Sequence, residues 1–268
     1  MRYGAFVLIG ILYAKLNLPT ADIGHFETFL LISGMVSFFW VSGLINTMLS
    51  VYPKKSDAEK KALLFNTFVS LGVLSVLAAG VLLLFSDNLL AFLDKKGEGR
   101  LIGLSVVYLL LSNPAFISEY VLFLGDRRSG VVIYGAVVSA LTIAAAVLPV
   151  ALNYPVEYAM YWLIATALLK LLFALYLLGK FATFTFDFQV QLTALRLSTP
   201  VVLSLFVSGS AEYIDGLIVK SKFDDLFFAV YRYGAKELPV LLIIANTFST
   251  AMIPAIAANM NEGLAELK

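Results

Sequence analysis

Five charged side chains stand inside stretches of this sequence that are otherwise apolar: Lys170, Glu212, Asp215, Arg232 and Lys236. A charge at the centre of a lipid-spanning helix costs ~2.5–3.5 kcal/mol on insertion scales, so such residues usually face a partner, a cavity or a pathway. Four of the five belong to one hairpin, Leu197 to Pro254, whose turn is Ser221-Lys222-Phe223-Asp224-Asp225. Asp215 precedes Ser221 by six residues and Arg232 follows Asp225 by seven; Glu212 precedes by nine and Lys236 follows by eleven. At ~1.5 Å of rise per residue, each acid lies near the depth of one base. The expectation is two pairs across the hairpin, Asp215–Arg232 and Glu212–Lys236. They serve either as structural ion pairs or as the polar wall of a water-filled cavity. Arg232 and Lys236 stand at i and i+4 and so share a helix face. Lys170 lies nine residues from Gly179, ~13 Å by helical rise, which is far for an ammonium to snorkel to the interface.

The elements that must position these groups follow from composition and pattern. Of 268 residues, 60% are hydrophobic and only 14% charged. A soluble domain is about half apolar and about a quarter charged, so the solvent for most of this chain is lipid. The net charge of +1 implies no nucleic-acid partner. No cysteine and a single histidine exclude thiolate metal sites and disfavour a histidine-based centre, so no cofactor or metal is expected. Strand alternation is absent, and the fold class read here is all-α and polytopic.

Apolar runs between short polar loops predict about eight transmembrane helices. They fall near Tyr3–Leu16, Ile23–Val51, Ala62–Phe85, Leu101–Leu124, Val131–Leu152 and Val156–Gly179, followed by the two arms of the hairpin. Asn113-Pro114 predicts a kink in the fourth, because proline frees a backbone carbonyl. Asn17-Leu18-Pro19 and Asn153-Tyr154-Pro155 read as turns, and Lys180–Gln191 as a longer connector. With a cytoplasmic N-terminus, ten lysines and arginines fall in inside loops and six outside. That bias places both termini in the cytoplasm, and with it a multi-pass protein of the cell's inner (cytoplasmic) membrane. Ile45-Asn46-Thr47-Met48 before Pro53 resembles Ala245-Asn246-Thr247-Phe248 before Pro254, an offset of 200 residues. This reads as a parallel internal repeat, a pattern common in transporters.

Two stretches resemble a known family. One is Leu18-Pro19-Thr20-Ala21-Asp22-Ile23-Gly24-His25-Phe26, then Gly43 and Tyr52-Pro53; the other is Ser198-Thr199-Pro200-Val201, then Asp215, Tyr231-Arg232-Tyr233-Gly234-Ala235, Pro239 and Pro254. Both are similar to polysaccharide-biosynthesis flippases of the Wzx type, in the superfamily that holds the MATE drug exporters. The resemblance implies a MATE-like arrangement: a six-helix lobe over residues 1–190 and the first two helices of a second, incomplete lobe over 191–268. A truncated member is therefore expected. It also implies translocation of undecaprenyl-pyrophosphate-linked oligosaccharide, with no catalytic residue and with membrane lipid, lipid-linked glycan and other glycan-assembly membrane proteins as partners. Lys170, Arg232 and Lys236 would then bind the diphosphate, while Glu212 and Asp215 would act as ion-pair or coupling groups. The rivals are a cation-coupled drug exporter of the sister family, using Glu212 and Asp215, and a non-transport membrane component of glycan assembly.

Overall fold

The structure is a computed structural model that describes residues 2–93, 98–125, 128–234 and 240–258. Among them it is helical with no strand. The helices are α1 (Arg2–Lys15), α2 (Thr20–Met35), α3 (Phe38–Val51), α4 (Asp57–Leu84), α5 (Ser86–Phe92) and α6 (Gly99–Ala115). They continue with α7 (Ile117–Leu124), α8 (Arg128–Ala151), α9 (Glu157–Phe181), α10 (Phe188–Lys222), α11 (Asp225–Gly234) and α12 (Val240–Ala258), and a 3₁₀ turn joins α3 to α4 at Tyr52–Lys54.

Local chemistry sets the ends. Ser56 and Glu59 form a reciprocal capping box at the start of α4. Asn17 and Asn153 adopt φ of 55° and 62°. Leu18 N–H returns to the Tyr13 carbonyl at 3.1 Å and Tyr154 N–H to the Pro149 carbonyl at 2.9 Å, closing α1 and α8 in the same way. The Asp224 carboxylate accepts from the Phe227 amide at 2.9 Å and caps α11.

Among the described residues, five helices are long and apolar enough to cross a membrane, or six if α2 and α3 form one bent span. This is the make-up of a multi-pass membrane protein. The eight expected segments each correspond to helix, but two differ in form. The second is no continuous helix: α2 and α3 meet at 49°. Ser33 and Ser37 hydroxyls bond back to the Phe29 and Ser33 carbonyls at 2.7 and 3.2 Å, beside Gly34, and such back-bonding bends helices. The fourth carries the expected kink: α6 and α7 meet at Phe116, just past Pro114, and together make one of the five spans, Gly99–Leu124. The eighth comprises α11 and α12, between which residues 235–239 lie outside the described set. The connector is shorter than read, because α9 runs to Phe181 and α10 begins at Phe188. Asn66 on α4 holds it, donating to the Thr185 carbonyl at 3.2 Å and accepting from the Asp187 amide at 3.3 Å.

Two apolar cores are stacked along the bundle. One gathers Phe26, Phe29, Leu109, Ala146 and Met160, and the other gathers Leu44, Leu64, Val121, Val138 and Leu177. On α9 the buried runs around Met160 and Leu177 leave Lys170 between them. The last helices lie on one flank: α10 packs against α3, α11 against α2, and α12 against α3 and the 3₁₀ turn. Only 6% of the apolar window of α10 is buried.

The seam of that flank is made of glycines, which let membrane helices approach closely. A Cβ on Gly24 would overlap the Asp225 backbone, and one on Gly10 would overlap the Tyr233 ring. Backbone cannot step aside as a flexible side chain can. Gly24→Ala should therefore cost ~1–3 kcal/mol by overpacking and lower the melting temperature in detergent. Gly80→Ala meets nothing within 4 Å and should be neutral or stabilising. Equal melting temperatures for the two variants would show that α11 does not rest on α2 in this way.

Candidate functional site

Between the two apolar cores lies a polar cavity of about 310 Å³. Its charged residues are Glu27, Lys170 and Arg232, brought by α2, α9 and α11. The neutral polar lining comes from Ser33 and Ser37 on the α2–α3 bend, Ser112 and Asn113 on α6, and Ser139 and Thr142 on α8. Tyr108, Phe116 and Tyr213 supply aromatic surface. Tyr213 is fixed by stacking on Phe38 at 4.4 Å, and Tyr108 leans on Phe29 at 5.4 Å.

Arg232 Nε donates to Glu27 Oε2 at 3.1 Å, with the Glu27 side chain 0% and the Arg232 side chain 14% exposed. The Tyr233 hydroxyl bonds to the same carboxylate. A fully buried carboxylate needs such partners, because its desolvation is otherwise far larger than a folded protein's stability. Lys170 is half-buried on the same cavity. The structure thus brings together Lys170 and Arg232, which are 62 residues apart in the chain.

The other expected site residues fare differently. Arg232 takes Glu27 as its acidic partner, a residue 205 positions away, in place of the Asp215 that depth matching assigned to it. Asp215 is exposed on α10. The reason is docking: α11 packs on α2, which turns Arg232 toward that helix. Depth in the bilayer fixes the height of a side chain, not its direction around the helix. Lys236 and the Glu212 side chain lie outside the described residues, and the Glu212–Lys236 pairing with them.

Glu27 was missed by the reading above, although it lies only four residues inside the expected second helix and next to the Gly24-His25-Phe26 stretch. Its signal was the same one that singled out Lys170: a charge in an apolar run. Lys220, at the end of α10, is 2% exposed. It pairs with Asp225 at 3.3 Å across the hairpin turn.

The cavity wall carries two cationic side chains and one acid, and cationic groups at this depth can contact an anion. The surrounding hydroxyls and amide can hold neutral polar groups. Comparison of the chain with family models, with curated proteins and with solved structures finds no match.

Proposed function

We propose that this protein is a translocator of polyprenyl-diphosphate-linked oligosaccharide in the cytoplasmic membrane, working within a two-lobed, MATE-like arrangement to which the 191–268 segment contributes the start of the second lobe. The observation that carries the reading is the meeting of Lys170 and Arg232 on one polar cavity set between two apolar cores. Such a cargo has an anionic diphosphate, a polar glycan and a greasy tail. Its headgroup requires cations and hydrogen-bonding groups at membrane depth, and arginine with lysine supplies both a bidentate and a point-charge contact. The partners of this reading are the lipid-linked glycan and other glycan-assembly membrane proteins. It has no catalytic residue and no cofactor.

One observation favours a second reading, a cation-coupled exporter of organic cations: the Glu27 carboxylate on the same wall. Its contact with Arg232 weighs against this, since a carboxylate already paired attracts a further cation less. The acids first considered for that role sit on α10, where Asp215 is exposed.

Deleting the gene tests the proposal. Surface polysaccharide should be lost while its lipid-linked precursor accumulates on the cytoplasmic side, and the gene supplied in trans should reverse both. Unchanged surface glycan with no precursor accumulation would refute it.

A further inference from the structure

The cavity has an uncharged wall that the anion-binding role leaves unused. Asn113 on α6 and Ser139 on α8 both line it. The Asn113 Nδ2 and the Ser139 Oγ are buried and have no hydrogen-bond partner among the described residues. Asn113 is only 7% exposed. Native proteins pair nearly all buried polar atoms, so two orphaned groups on one cavity are groups that await something entering it.

We propose that this wall, Asn113 and Ser139 with Ser112 and Thr142 beside them, binds the hydroxyl groups of the sugar attached to the anion held by Lys170 and Arg232. The inference rests on the translocator reading above and names which part of the cargo is recognised. The chemistry points to a sugar hydroxyl. An amide and three hydroxyls offer donors and acceptors together without charge, and a sugar hydroxyl is likewise both. A further anion would want cations, and a hydrocarbon chain would leave these groups orphaned. Tyr108 and Phe116 add aromatic faces against which the C–H face of a pyranose can pack. Size limits what is read. A cavity of about 310 Å³ lies at the lower end of small-ligand pockets and cannot enclose an oligosaccharide. The site therefore selects the sugar next to the diphosphate and leaves the rest of the glycan unread.

The test uses the 268-residue chain in lipid nanodiscs. Two probes are compared by native mass spectrometry: a polyprenyl diphosphate, and the same lipid carrying one hexose. The unaltered protein should prefer the sugar-bearing lipid at least about tenfold, because a site built to pair hydroxyls rejects an analogue that lacks them. Asn113→Leu combined with Ser139→Ala should bind both lipids equally, at the affinity the unaltered protein shows for the bare diphosphate, with no fall in melting temperature. Ser139→Ala alone should lose part of the preference, which keeps the test valid if the double variant folds poorly. A preference that survives these changes, or affinity for both lipids falling together, would overturn the sugar site while leaving the translocator reading intact. Failure of the unaltered protein to bind either lipid would overturn both.

Discussion

Arg232→Gln alone should cripple the folded protein, and adding Glu27→Gln should rescue the protein without rescuing transport. Arg232 reaches a carboxylate whose side chain is 0% exposed. Removing one member of a buried ion pair leaves the other charge desolvated and uncompensated, at ~3–5 kcal/mol. With native stabilities of ~5–15 kcal/mol, that loss should show as low abundance in the membrane and a markedly lower melting temperature. Glu27→Gln with Arg232→Gln removes both charges and leaves two neutral amides that can still hydrogen-bond, so much of the lost stability should return. Glycan export should not return, because a cationic contact to the diphosphate is still missing. Thermal unfolding by fluorescence-detected size exclusion, run beside an export assay, reads the two effects separately. A double variant no more stable than Arg232→Gln alone would mean that the pair does not act as a unit.

Lys170→Gln should behave in the opposite way. Lys170 is half-buried on the cavity and belongs to neither apolar core. Its replacement should leave abundance nearly unchanged and weaken binding of a polyprenyl diphosphate. Hydrogen bonds to charged groups contribute ~1.5–3 kcal/mol each, so the expected loss is about ten- to a hundredfold. Lys170→Arg should retain much of the affinity, since charge is kept even as geometry changes. Equal lipid binding by Lys170→Gln and the unaltered protein would remove Lys170 from the site. Together the two sets separate the cations by effect: Arg232 pairs with Glu27 and faces the cavity, and Lys170 is read out through lipid binding at the same cavity.

These results bear on what the sequence could and could not disclose. The turns were legible because they depend on local chemistry: asparagine accepts the left-handed conformation, and the prolines after Asn17 and Asn153 cannot continue a helix. Lys170 was legible as an isolated charge in an apolar run. The bend between α2 and α3 was not, because Ser33, Gly34 and Ser37 are all tolerated inside a membrane helix and differ from a continuous one only in how their hydroxyls are used. The Glu27–Arg232 pair was hidden for a different reason. It joins residues 205 apart, and its direction is set by α11 resting on Gly24 of α2, a contact between two helix surfaces. Asn113 was noted only for its place before Pro114; that its Nδ2 lacks a partner among the described residues is a property of the packed bundle.

The central claim is that a hydrated, anion-binding cavity lies between the two apolar cores, and the absence of cysteine from the chain makes it directly measurable. Thr142→Cys places a single thiol on the cavity wall, and Val76→Cys places one on the exposed apolar surface of α4. A water-soluble maleimide should label Thr142→Cys and not Val76→Cys, because a thiol in hydrocarbon stays protonated and out of reach of the reagent. Adding a polyprenyl diphosphate should slow labelling of Thr142→Cys, and polyprenol should not. No labelling of Thr142→Cys, or labelling that the diphosphate lipid leaves unchanged, would contradict the account.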